Sequence, residues 1–165
     1  MRNLPFVVLF ILVQFSCVEE EDGANASSNH DLTAKVIYLK DGDSFVVLDQ
    51  NKEEVEVRMI DIDAPELYQA HGKKAKLFLS DLIKGKRVGL DYDKKDKFGR
   101  LLATVYLDTI DVNFAMVEAG YAWRYKYSKD KEIAAAEEKA HADRIGLWQD
   151  KNPEKPWNWR RHHKR

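Results

Sequence analysis

The chain has 165 residues, with 27 Lys plus Arg against 28 Asp plus Glu, a net charge of −1 and 44% hydrophobic residues. These figures allow one globular domain with a real core and exclude a disordered chain. Its single cysteine, Cys17, excludes a disulfide framework or a multi-cysteine zinc site, and the −1 total speaks against a nucleic-acid partner unless charge is segregated along the chain.

Segregation begins at the first residues. Arg2 and the apolar run Leu4 to Phe15, broken only by Pro5 and Gln14, are too short to span a bilayer and read as an export signal. Ser16-Cys17 resembles a bacterial lipoprotein cleavage site, so residues 1–17 are expected to be a signal and Cys17 a lipidated membrane anchor; a plain secretory signal is the alternative. Residues 18–31 (VEEEDGANASSNHD) offer almost nothing to bury and read as an acidic tether that contributes nothing to a site. Residues 1–31 carry a net −4, which leaves +3 on residues 32–165.

The domain is expected over residues 32–160. Ala34 to Leu48 reads as a pair of strands around the turn Asp41-Gly42-Asp43. Val55, Val57 and Met59 alternate with Glu54, Glu56 and Arg58, a third strand with one wet face, which Ala64-Pro65 ends. Ala75, Phe78, Leu79, Leu82 and Ile83 recur at three and four, a helix stopped by Lys84-Gly85. Two more strands follow, Val88–Tyr92 and Leu101–Leu107, around a polar loop Asp93–Arg100. A short helix runs from the N-cap Asp111 to Gly120, and an Ala-rich one covers Lys131–Arg144 before Gly146. Five strands and about three helices predict an α+β domain built on a five-stranded OB-fold barrel.

Three stretches hold charges that a barrel does not need: Asp41-Gly42-Asp43-Ser44; Arg58 with Asp61, Asp63, Pro65 and Glu66; and Asp96-Lys97-Phe98-Gly99-Arg100. Asp43 and Asp63 offer hard oxygens that suit Ca2+. Arg58 and Arg100 offer planar forks that match phosphate oxygens. Glu66 could orient or deprotonate water, and together these are the parts of metal-assisted phosphodiester hydrolysis. Taken singly, each has a plainer explanation, as a hairpin turn, a solvated strand face or a helix entry. The joint pattern is what points to chemistry.

These motifs, in this order, resemble the staphylococcal-nuclease-like (thermonuclease) domains. The likeness continues through Val112-Asn113, Ala119-Gly120-Tyr121-Ala122-Trp123, Gly146-Leu147-Trp148 and Pro156-Trp157-Asn158-Trp159-Arg160, covering roughly residues 33–161. The resemblance implies a Ca2+-dependent nuclease that cuts single-stranded DNA and RNA by water attack, leaving 3′-phosphates. It implies that Asp43, Asp63 and the carbonyl of Ala64 bind the cation, with Asp41 behind them. Arg58 and Arg100 would grip the reacting phosphate, Glu66 would be the general base, and Lys97, Tyr125 and Tyr127 would hold a nucleotide. The loop Leu67–Gly72 is shorter than in the best-known member of the family.

Trp148, Trp157 and Trp159 are expected as lids on the core, while Trp123 could equally stack on bases. Arg160 to Arg165 reads by composition as a cationic tail, with residues 161–165 outside the domain. A monomer exported to the cell envelope or secreted is the expected form. The competing function is a non-catalytic oligonucleotide-binding module on the same barrel.

Overall fold

The computed structural model describes residues 30–163; the expected export signal, Cys17 and most of the expected tether lie outside the described residues. Strands β1 (Leu32–Leu39), β2 (Ser44–Leu48) and β3 (Glu54–Met59) form an antiparallel meander. A two-residue strand β4 (Ile62–Asp63) and helix α1 (Gly72–Ile83) follow, then β5 (Arg87–Lys95) and β6 (Leu101–Leu107). β5 pairs with β1, β6 pairs with β5, and β3 closes the ring by pairing parallel to β6 through Val57↔Leu101, Arg58↔Leu102 and Met59↔Ala103. This is a closed five-stranded mixed barrel of the OB kind.

Inward positions alternate along the strands. Val36, Phe45, Val47, Val57, Met59, Leu90, Ala103 and Val105 are almost fully buried. Along β1 the alternation breaks at a bulge between Val36 and Tyr38, which leaves Ile37 and Tyr38 exposed and returns Leu39 to the core. β5 also runs further than its apolar residues predict. Past a bulge at Asp93, Lys94 and Lys95 still pair with Leu102 and Leu101, but Asp93 to Lys95 are all exposed, so alternation carries no signal there.

Helix α1 lays Ala75, Leu79 and Ile83 on the barrel, and each fully buried Leu or Ile contributes about 2 kcal/mol. Strand β7 (Ile110–Asp111) leads into α2 (Val112–Glu118), capped by the Asp111 carboxylate on the Phe114 N–H at 2.9 Å. Next come β8 (Trp123–Arg124), α3 (Lys131–Ala142), a 3-10 turn at Gly146–Gln149, and α4 (Pro156–His162). Trp123, Leu147 and Trp148 form a second small core with Ala140, against which Trp157 packs.

Two boundaries differ from expectation. α4 is a fourth helix, so Arg160, Arg161 and His162 are helical and do not belong to a loose tail; Pro156 at its first turn suits that position. At the other end, His30 and Asp31 are attached to β5. His30 pairs with Asp91 at 2.9 Å, and Asp31 accepts the Tyr92 N–H at 2.9 Å.

Asn113 ties the closure together. Its side chain, 1% exposed, accepts the Val105 N–H at 3.0 Å and donates to the carbonyls of Ile60 at 2.9 Å and Ala103 at 3.3 Å. Asn113→Ala strands a buried donor and a buried acceptor, and is expected to lower the unfolding free energy by about 2–4 kcal/mol. Urea unfolding with an unchanged m-value checks this; a loss under about 0.5 kcal/mol would refute the role of Asn113 as a tie.

Candidate active site

The register of β2 on β3 sets Ser44 opposite Arg58. Period two places Arg58 on the outer face between the inward Val57 and Met59. That face is not solvated at Arg58, whose side chain is only 15% exposed because two carboxylates cover it. Its guanidinium pairs with Asp43 at 2.8 Å and Asp63 at 3.0 Å.

Asp43 leaves the hairpin turn held from several sides. Its backbone N–H donates to Asp41 at 3.0 Å, its carboxylate takes the Ser44 hydroxyl at 3.1 Å and the Ala64 N–H at 2.6 Å, and its carbonyl takes the Met59 N–H at 2.9 Å. Gly42 lets this turn approach so closely. A β-carbon there would lie 2.8 Å from those of both Ala64 and Ala75. Burial pushes the Asp43 carboxyl well above the usual carboxylate range, with Arg58 and the Ala64 N–H pulling it back and Asp41 and Asp63 adding to the rise.

Asp63 is fully buried. Between β3 and β4 the chain bends at Asp61, in the left-handed region at φ 60, and the Asp61 carbonyl accepts the Tyr125 N–H at 2.8 Å. This bend turns Asp63 inward beside Asp43. Past Pro65, Glu66 sits in a tight loop closed onto α1, where a β-carbon at Gly72 would overlap the Glu66 carbonyl. Gln69 holds the loop by accepting the Glu66 N–H at 3.1 Å and donating to the Glu154 carbonyl at 2.5 Å.

Arg160 completes the cluster. From α4 it reaches both oxygens of Asp63, at 3.0 and 2.7 Å, and Glu66 at 2.8 Å. These contacts, that to Asp63 foremost, hold its guanidinium still more firmly protonated than usual. Composition hid this residue, since it opens a run of four cationic side chains and two histidines; its last place in the Pro-Trp-Asn-Trp-Arg motif was the available signal. Gln69 carried none.

Arg100 stands across the cleft and makes no contact with the acidic cluster. It is positioned by Asp96, which takes its side chain at 2.8–2.9 Å and also caps the turn through the N–H groups of Phe98 and Arg100 at 2.8 and 3.1 Å. Burial alone would raise Asp96, but these hydrogen bonds outweigh it and lower its pKa. Asp41, Asp43, Arg58, Glu66, Arg100 and Arg160 line one open cleft of about 1040 Å³ together with Lys97, Phe98, Tyr125 and Tyr127. Asp31 lines it too, although it closes the segment expected to add nothing to a site. Trp123 faces the second core, whereas Trp159 stacks on His163 at 3.6 Å instead of lidding a core.

Among the described residues no three His, Cys, Asp or Glu side chains converge on one point. The acids present still fit a hard cation. Asp43 and Asp63 are adjacent enough to share one guanidinium, and Ca2+ takes its other ligands from carbonyls and water. Ala64 shows its N–H on Asp43; its carbonyl is the remaining oxygen of the expected set.

Carboxylates and guanidinium forks in one cleft on an OB barrel define a phosphodiester-hydrolysing nuclease. Comparison with known proteins agrees. The chain matches the family described as staphylococcal nuclease homologue over residues 56–150. It is 43% identical to an uncharacterized endonuclease of Haemophilus influenzae over 85% of this chain and 79% of that one. It is 38% identical to an uncharacterized endonuclease of Escherichia coli O157:H7 over 79% and 86%, and 36% identical to a micrococcal nuclease of Shigella flexneri over 79% and 82%. The chain belongs to the staphylococcal nuclease homologue family.

Proposed function

We propose that this nuclease is an exported, Ca2+-dependent endonuclease that hydrolyses single-stranded DNA and RNA and leaves 3′-phosphates. The observation that carries the reading is the convergence of Asp43, Arg58, Glu66 and Arg100 on one cleft, with the buried Asp63 paired to Arg58 behind them. Arg58 and Arg100 hold the non-bridging oxygens of the reacting phosphate and stabilise the charge that builds on them. Glu66 takes a proton from the water that attacks phosphorus, the bond to the 5′ oxygen breaks, that oxygen leaves with the electron pair and takes a proton from solvent, and a 3′-phosphate and a 5′-hydroxyl result. Asp43, Asp63 and the Ala64 carbonyl would hold the Ca2+, which supplies positive charge at the phosphate.

Exposed aromatics favour unpaired strands. Phe98 and Tyr127 are mostly exposed on the cleft, with Lys97 and Arg100 near the Phe98 ring and Lys126 and Tyr125 near that of Tyr127, a surface of aromatics and cations on which splayed bases stack. Export rests on residues 1–17, and a lipidated Cys17 would attach the monomer to a membrane. The extracellular setting suits a site of two carboxylates, which binds Ca2+ in the range of roughly 10⁻⁴–10⁻³ M.

The test is cleavage of denatured DNA and of RNA with Ca2+, other divalent ions, or chelator. Ca2+-dependent cleavage ending in 3′-phosphates is expected, and Asp43→Ala should raise the Ca2+ needed about tenfold or more. Strand binding without cleavage under any divalent ion would instead establish a binding module.

A further inference from the structure

A polymer bound at the acidic cluster must continue on both sides of the reacting phosphate. The cleft described above accounts for one side, with Lys97, Tyr125 and Tyr127. A second cleft of about 870 Å³ opens on the other side and shares Asp41, Glu66 and Arg160 with the first. Tyr38, freed from the core by the β1 bulge, and Tyr68, from the loop after Glu66, line it at 56% and 70% exposed. Trp159 of α4 lines it as well, stacked on His163.

Neither tyrosine packs into the core, and neither hydroxyl makes a hydrogen bond among the described residues. Lys76 lies 5.3 Å over the Tyr38 ring, and Lys40 lines the groove beside it, partly offset by Glu56. Aromatic faces interleaved with cations along a groove form a surface for stacked bases and their phosphates. Its acids, Asp41 and Glu66, stand only at the junction, where Arg160 offsets Glu66. The far wall is built in advance. His71 pairs with Asp150 at 2.8 Å and Gln69 with the Glu154 carbonyl, so the loop and the segment leading into α4 are joined.

We infer that this second cleft carries the nucleotides on the far side of the reacting phosphate, with Tyr38, Tyr68 and Trp159 as stacking faces. The identity of the occupant rests on the nuclease reading. The experiment uses the full chain carrying Glu66→Gln, with Ca2+, so that the strand stays whole, and follows binding of a fluorescent oligothymidylate by anisotropy. Adding Tyr68→Ala or Tyr38→Ala should weaken binding about fivefold or more, while Tyr68→Phe, which keeps the ring, restores it. With Glu66 intact, Tyr68→Ala should raise KM on the oligomer several times more than on a nucleoside nitrophenyl phosphodiester, which fills one side only. Unchanged oligomer affinity in both alanine variants would overturn the assignment, as would equal penalties on the two substrates. If binding falls as expected but the unsubstituted chain cleaves nothing with any divalent ion, the nuclease reading fails and the strand path stands.

Discussion

Arg100→Lys is expected to lower kcat on denatured DNA by about a hundredfold or more, while the unfolding free energy moves by less than about 1 kcal/mol. Lysine keeps the charge but loses the planar fork, and so loses paired hydrogen bonds to a phosphate whose charge peaks in the transition state. The fold has little at stake at this position. The ion pair with Asp96 closes a hairpin turn at the rim of the cleft, and Asp96 retains two backbone N–H donors without it. Steady-state kinetics and urea unfolding on the same preparation separate the two effects. A near-normal kcat would show that a point charge suffices there. Arg58 is the contrasting case, since its guanidinium also holds two buried carboxylates and its replacement entangles folding with catalysis.

Arg160→Ala has an unusual expected signature: tighter cation binding by a less stable protein. Arg160 spans both oxygens of Asp63, the carboxylate that the proposed cation would share. Removing that competitor should lower the Ca2+ concentration for half-saturation about threefold to tenfold, read by calorimetry. Without added cation, Asp63 keeps only Arg58, so stability should fall by about 1–3 kcal/mol, less than for a wholly buried pair because Arg160 is 44% exposed. Glu66 loses its partner as well, and turnover should drop even at saturating Ca2+. Unchanged Ca2+ affinity would mean that Arg160 and the cation occupy separate sides of Asp63.

How far the sequence reveals this molecule varies with what each residue faces. β3 and α1 were legible because one face of each is buried, which imprints a period on the residues. The parallel closure of β3 on β6 leaves no such imprint, because strand partners far apart in sequence share no local pattern. The end of β5 was illegible for a related reason, as neither of its faces is covered. Asp43, Asp63 and Arg58 are legible only jointly, since a turn, a strand exit and a wet strand face each accept a charge. Arg160 did not, because a cation among cations carries no contrast, and its role depends on α4 folding back over the loop after Glu66. Gln69 works through backbone groups, which almost any sequence supplies. The second cleft arises from a bulge, a loop and a terminal helix that meet only in the folded chain.

The closure of the barrel also fixes when the enzyme can exist. Arg58 lies on β3 and Arg100 directly precedes β6, and in the sequence they are separated by α1 and all of β5. Contacts so distant along the chain pay their loop entropy before they return any energy, so they form late and slowly. The two proposed phosphate grips therefore face each other only after β3 has paired with β6. A chain in which this pair has not formed can carry helices and most of the sheet yet be inert, so regained activity during refolding reports closure of the barrel.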